Sequence, residues 1–180
     1  MQEARGASLT GDPTTTRGSR HVVLFVSLGA LGLAADQLTK LWAEQSLAGL
    51  APQPFIGNLL QFYLTYNPGA AFSTGVRLTW VFSTIAIVAT LVVLRFGLTA
   101  RSRAWAIALG LLLGGVTGNL GDRLFRPPGP MRGHVVDFLM LPHWPIFNVA
   151  DVLIDTAAVL IVILSWRGIR LDGTRETTDD

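Results

Sequence analysis

Four long apolar stretches constrain the fold of this chain more than any other feature of its sequence. They cover about residues 22–41, 78–96, 104–120 and 149–165. Each is about long enough to cross a hydrocarbon core of roughly 30 Å as an α-helix. Half of the 180 residues are hydrophobic and only 14% are charged, which is too apolar for an ordinary soluble domain. The sequence therefore predicts a mainly α-helical membrane protein with four transmembrane helices.

The first apolar stretch has a second interpretation. Arg17 and Arg20 precede it, as basic residues precede the apolar core of a cleaved signal peptide. The three later spans, and polar residues that continue to Lys40, favour its retention in the protein. The flanking segments contain no periodic apolar pattern. We therefore expect a disordered tail over residues 1–20, a four-span domain over 21–167 and a tail over 168–180 that is disordered after Arg170.

The basic residues predict the orientation of the spans. Arginines are concentrated in the first tail, in the loop between spans two and three and in the last tail. Because basic residues accumulate on the cytoplasmic side, both termini are expected to be cytoplasmic. All five tryptophans lie at or near a predicted span end, where an amphipathic ring favours the membrane interface. The arginines form no basic stripe, so nucleic acid is not expected as a partner.

With this topology, several polar residues converge on the outer side of the membrane. A charged side chain near the bilayer centre costs at least about 2.5 kcal/mol, so acids in or beside spans are functional candidates. Three helix ends and two loops contribute to the convergence, which predicts a site near the outer interface. The residues are Asp36 and Lys40 at the end of span one, Asn119, Asp122 and Arg123 at the end of span three, Asn148 and Asp151 at the start of span four, and Asn67 and Asp137 in the loops.

Some of these residues have a structural interpretation that is as good as the functional one. Asn148 and Asp151 share a helix face, but Asn148 is also well suited to be only an N-cap. Asp36 and Lys40 are four residues apart, which fits an intrahelical ion pair as well as a role towards substrate. Asp155, one turn beyond Asp151, could be linked through water, paired with an arginine, or a modifier of the Asp151 pKa.

Other segments predict structure. Residues 55–66 are rich in aromatic and aliphatic side chains, lie between prolines and predict a strand. Gly110, Gly114 and Gly118 form a ridge on span three that favours close helix packing. Cysteine is absent and the three histidines form no HExxH motif, so no metal and no cofactor are expected.

Five blocks of residues, in this order and between these spans, resemble the lipoprotein signal peptidases, or signal peptidase II, which are intramembrane aspartyl proteases of bacteria. The resemblance covers residues 21–166. It implies four spans in the bacterial cytoplasmic (inner) membrane, a small extracytoplasmic β-element and an active site near the outer face. The blocks cover residues 36–40, 67–72, 119–123, 136–138 and 148–151.

The resemblance also implies the chemistry. Asp137 and Asp151 would be the catalytic pair, and the substrate would be a prolipoprotein cut just before a diacylglyceryl-modified cysteine. Two close carboxylates share one proton, which gives a base to activate water and an acid to polarise the scissile carbonyl. Membrane lipids are the other expected partners, and a monomer is expected. By resemblance the supporting residues are Asp36, Lys40, Asn67, Asn119, Asp122, Arg123 and Asn148, with Asp122 and Arg123 as a charge pair.

Three other classes of membrane protein compete with this prediction. A small transporter or proton-conducting protein would also hold acids, but mid-span and often in repeated halves, whereas these acids cluster at one end. A different intramembrane aspartyl protease would carry Gly-x-Gly-Asp, which residues 119–122 miss by one residue. A structural scaffold explains the spans but not the convergent polar residues.

Overall fold

The structure, a computed structural model, describes residues 13–69 and 79–175. Four helices in it are long and apolar enough to cross a membrane. The prediction of a four-span, mainly α-helical membrane protein with a small β-element is confirmed. The helices are α1 Pro13–Leu47, α2 Thr79–Thr99, α3 Arg103–Phe125 and α4 Val149–Trp166, and the strands are β1 Gln53–Ile56, β2 Leu60–Asn67 and β3 Val135–Met140.

The ends of the helices differ from the predicted ends. Helix α1 begins at Pro13, inside the predicted tail, and continues to Leu47. Helix α3 continues to Phe125, so that Asp122 and Arg123 are helical. Polar residues such as Asp122 and Arg123 end the apolar sequence pattern, but they do not end the helix. Their side chains contact Lys40 and the carbonyl oxygen of Gly69 inside the protein. Residues 1–12, 70–78 and 176–180, which include part of both predicted tails and the first predicted residue of span two, lie outside the described residues.

The three strands form one antiparallel sheet in the order β1-β2-β3. Residues 55–66, predicted as a single strand, instead turn back at Gly57 and Asn58 into a hairpin of β1 and β2. Gly57 has a φ of +51°, a conformation that suits glycine, and this allows the tight turn. Strand β2 pairs with β3, and this pairing sets Thr65 opposite Asp137.

Helix α3 packs closely between α1 and α4, and glycines make this possible. A Cβ atom at Gly114 would lie 3.0 Å from the Cα atom of Gly32 in α1. A Cβ atom at Gly115 would lie 2.5 Å from the carbonyl oxygen of Ala150 in α4. The predicted role of the glycine ridge in close packing is therefore confirmed, and this packing brings the ends of α1 and α3 close to the start of α4.

The segment after α4 is ordered at its start. The indole Nε1 of Trp105 donates to the carbonyl oxygen of Ile169 at 2.8 Å. The backbone N of Arg101 donates to the carbonyl oxygen of Leu171 at 2.9 Å. Ile169 also forms a β-bridge with Arg175. The structure thus gives residues 171–175, in the predicted tail, backbone hydrogen bonds with Arg170 and, at Leu171, with the α2–α3 loop.

Candidate active site

Asp137 lies in β3 and is 2% exposed. Its Oδ1 accepts a hydrogen bond from Nδ2 of Asn148 at 2.6 Å, and its Oδ2 accepts one from Nδ2 of Asn67 at 3.1 Å. Asn67 ends β2, the strand that pairs with β3. The sheet therefore supplies one amide to this carboxyl group, and the start of α4 supplies the other.

Asp151 lies in the first turn of α4. Its Oδ1 accepts from Nδ2 of Asn119 at 2.8 Å, and its Oδ2 accepts from the backbone N of Asn148 at 3.1 Å. The backbone N of Asp151 donates in return to Oδ1 of Asn148, which completes a capping box. Asn148 is thus an N-cap, as its structural interpretation predicts, and it also contacts the carboxyl groups of both Asp137 and Asp151.

The electrostatic environment favours a protonated Asp137. Burial raises its pKa, and the nearby negative charge of Asp151 raises it further, to about 7. Hydrogen bonds from Asn67 and Asn148 and the positive charge of Lys40 act in the opposite direction. Near neutral pH this carboxyl group therefore holds a proton for a large part of the time. That is the behaviour expected of one member of a pair of carboxylates that share a proton.

Lys40 organises the buried side of the site and is 0% exposed. Its Nζ contacts Oδ2 of Asp36 at 2.8 Å and Oδ2 of Asp122 at 2.7 Å. The same Nζ donates to Oδ1 of Asn119 at 3.0 Å, which turns the Asn119 amide nitrogen towards Asp151. Asp36 and Lys40 thus form the intrahelical ion pair that their spacing predicts, and Asp36 also accepts from the backbone N of Ala150 at the start of α4.

The predicted charge pair of Asp122 with Arg123 is wrong. Asp122 pairs instead with Lys40 and with Nε of Arg126, at 2.7 Å from its Oδ1. Nη2 of Arg123 donates to the carbonyl oxygen of Gly69 at 3.0 Å. The reason is geometric, because consecutive residues of a helix point in different directions whereas residues four apart face each other.

The two aspartates face one cavity of about 470 Å³. Polar side chains line one part of it, and residues of the loop that precedes α4, together with Val152 of α4, line an apolar part. Asp155 also lines the cavity with an exposed side chain, and none of the ion pairs between described residues involves it. The polar lining includes Asn67, Asn119, Arg123, Asp137 and Asp151, and the apolar lining includes Trp144, Ile146, Phe147 and Val152.

The sequence matches the profile of one protein family, Signal peptidase (SPase) II, over residues 28–167. The chain belongs to the signal peptidase II family. It is 45% identical over 164 residues to the lipoprotein signal peptidase of Rhodococcus jostii, covering 91% of this chain and 82% of that one. It is 43% identical over 162 residues to that of Streptomyces coelicolor, covering 90% and 79% of the two chains. The predicted family is therefore confirmed, and the family is one of peptidases.

Solved structures share the fold of this signal peptidase II family member. A bacterial membrane enzyme solved by the in meso method superposes with a TM-score of 0.67 at 22% identity, over 90% of this chain and 94% of that one. A second one gives a TM-score of 0.65 at 24% identity, over 82% and 92% of the two chains. With the four apolar helices, these likenesses support a multi-pass membrane protein.

Sequence reasoning missed two residues near the site of this signal peptidase II family member. Arg126 contacts Oε1 of Glu44 at 2.5 Å through Nη1, in addition to its contact with Asp122. Both residues extend patterns present in the sequence, since Glu44 follows Lys40 by four residues and Arg126 follows Asp122 by four. That spacing was the signal available for finding them.

Proposed function

We propose that this chain removes the signal peptide of bacterial prolipoproteins, cutting before a diacylglyceryl-modified cysteine with Asp137 and Asp151 as the catalytic pair. One observation carries the proposal. Asn148 donates to the carboxyl groups of both residues, so that the two acids are held together at one cavity. Membership of the signal peptidase II family and relatives described as lipoprotein signal peptidases support the substrate class.

In the proposed mechanism, protonated Asp137 donates a hydrogen bond to the scissile carbonyl oxygen, and ionised Asp151 takes a proton from a water molecule. The water oxygen then bonds to the carbonyl carbon. As the C–N bond breaks, a proton passes to the leaving amine of the cysteine, and the signal peptide leaves as a carboxylic acid. The pKa of about 7 for Asp137 supports its role as the acid. No metal and no covalent intermediate take part.

Arg123 supports the binding of the peptide at this cavity. Its Nη1 is buried and has no hydrogen-bond partner among the described residues, and the residue lines the cavity. A buried donor without a partner costs about 1–3 kcal/mol, more for a charged group. A carbonyl oxygen of the bound peptide would remove this cost, so Arg123 is proposed to bind substrate.

The location of the site suits a lipid-modified substrate. Asp151 lies in the first turn of α4, and Asp137 lies in β3, between the end of α3 and the start of α4. These ends of α3 and α4 are remote from the arginine-rich segments, which supports an outer active site and cytoplasmic termini in the inner membrane. The cavity wall formed by Trp144, Ile146 and Val152 is apolar. Acyl chains can remain in the lipid while the peptide enters the cavity. A monomer is proposed, since the described chain supplies the whole site.

The test is a gel-shift cleavage assay of the purified protein in detergent. The substrates are a diacylglyceryl-modified prolipoprotein and the same prolipoprotein without the lipid. Wild type is compared with Asp137→Asn and Asp151→Asn, and thermal unfolding checks that each variant is folded. The expected result is cleavage of the lipidated substrate by wild type alone. Cleavage that persists in both variants would reject the proposed pair, and an inactive, well-folded wild type would reject the proposed function.

A further inference from the structure

Charged side chains of alternating sign form a continuous ladder beside the candidate active site. Helix α1 carries an acid, a base and an acid at intervals of four residues, and the end of α3 carries an acid and a base at the same interval. Their side chains interdigitate, so each base lies between two acids. The ladder runs Asp36, Lys40, Asp122, Arg126, Glu44, with contacts of 2.8, 2.7, 2.7 and 2.5 Å between successive members.

Asp122, in the middle of the ladder, connects it to both aspartates of the site. Its Oδ2 accepts from the backbone N of Val136, the residue directly before Asp137, at 3.2 Å. The same oxygen contacts Lys40, which orients the Asn119 amide that donates to Asp151. A rotation of the Asp122 carboxylate would therefore disturb both catalytic candidates.

Among the charged residues that the structure describes, Arg126 alone contacts the other oxygen of Asp122, and Arg126 in turn contacts Glu44. Arg126 caps the end of α3. A planar guanidinium that binds two carboxylates at once has a defined orientation, which a single contact would not impose. Glu44 also accepts from the hydroxyl of Tyr66, which lies in β2 next to Asn67. The end of the ladder formed by Arg126 and Glu44 therefore connects α1, α3 and the sheet.

We infer that Arg126 and Glu44 are positioning residues that act on the catalytic pair through Asp122. The inference rests on the proposed function. Neither side chain lines the cavity, so neither is expected to contact the substrate. Their side chains are 16% and 23% exposed, whereas the other three members of the ladder are at 0%. A partly exposed ion pair adds little stability by itself, so its loss is expected to affect geometry more than folding.

The experiment compares kcat and KM on the lipidated prolipoprotein, with thermal unfolding in detergent as a check of folding. Arg126→Gln is expected to lower kcat by about 10-fold or more and to change KM by less than about 2-fold, since the reacting groups are misplaced but the cavity is intact. Glu44→Gln is expected to lower kcat less, because the Gln carbonyl still accepts from Arg126. Arg126→Lys is expected to recover part of the loss. Arg132→Gln is the matched control, because Arg132 is an exposed arginine in the loop between α3 and β3 that Arg126 begins. This variant is expected to keep wild-type kcat.

A double variant tests whether the two residues act through the same carboxylate. If they do, Arg126→Gln with Glu44→Gln lowers kcat no further than Arg126→Gln alone. Losses of kcat that multiply in the double variant would overturn the inference. So would unchanged kcat per folded molecule together with a lower unfolding temperature, which indicates a purely structural pair. If Arg126→Gln does not fold, Glu44→Gln and Arg126→Lys decide by the same criteria. An inactive wild type contradicts the proposed function itself, and this inference with it.

Discussion

Asn148 donates a 2.6 Å hydrogen bond from its side-chain amide to the carboxyl group of Asp137. The same side chain caps α4 through its Oδ1, which accepts from the backbone N of Asp151. One residue therefore both starts the helix that carries the second acid and holds the first acid beside it. These two roles use different atoms of the side chain, so substitution can separate them.

Asn148→Ser is expected to lower the cleavage rate by roughly 100-fold while the protein stays folded. Serine is as good an N-cap as asparagine, but its short side chain cannot reach Asp137, whose misplacement then slows the reaction. Asn148→Ala removes both roles and is expected to cost a further ~1 kcal/mol of stability. Cleavage kinetics and thermal unfolding measure the two effects. Wild-type cleavage by the serine variant would show that Asn148 is only a cap.

The pH dependence of cleavage is expected to follow Asp137. If its protonated form is required, kcat/KM falls as the pH rises through about 7. This fall is the basic limb of the pH profile. Asn67→Ala removes a hydrogen bond that lowers this pKa, so the limb is expected to move to higher pH. A pH profile of kcat/KM for each protein measures the shift.

His143→Asn is the control for this profile, because His143 lines an adjoining cavity together with Asp137. Its φ of +58° is a conformation that asparagine also adopts. The limb is expected to stay in place in this variant. A limb that moves with His143→Asn and not with Asn67→Ala would contradict its assignment to Asp137.

Gly115→Ala is expected to destabilise the protein by about 1–3 kcal/mol through overpacking, because its Cβ atom would press on the backbone of α4. Gly121→Ala is the matched control in the same helix, where the nearest atom to an added Cβ lies 3.9 Å away. Alanine there is expected to be neutral or stabilising by up to about 1 kcal/mol. Thermal unfolding in detergent compares them. Equal unfolding temperatures would contradict the close packing of α3 on α4.

Asp155→Asn is expected to keep substantial activity, in contrast to Asp151→Asn. Asp155 lines the cavity but is exposed and belongs to none of the ion pairs between described residues, so the neutral amide removes no such contact. The measurement is kcat/KM on the lipidated prolipoprotein at neutral pH. A loss as severe as that of Asp151→Asn would make Asp155 a participant in the reaction.

Much of the fold could be predicted from the sequence because it depends on local and additive properties. The apolar stretches predicted four spans, and the glycine ridge predicted a close helix contact. The prediction failed where an apolar pattern is a poor guide to a helix end, as at Pro13 and Phe125. It also failed at Gly57, where a single glycine allows a turn inside a segment that otherwise resembles one strand.

The sequence by itself determined the family, the spans and which polar residues gather at one end of the helices. Only the tertiary structure decided which charges pair between α1 and the end of α3. Lys40 of α1 pairs with Asp122, and Glu44 of α1 pairs with Arg126. The physical reason is that a buried ion pair requires a contact of about 3 Å and a common direction of two side chains. Both conditions depend on how α1 and α3 pack, which no local pattern specifies.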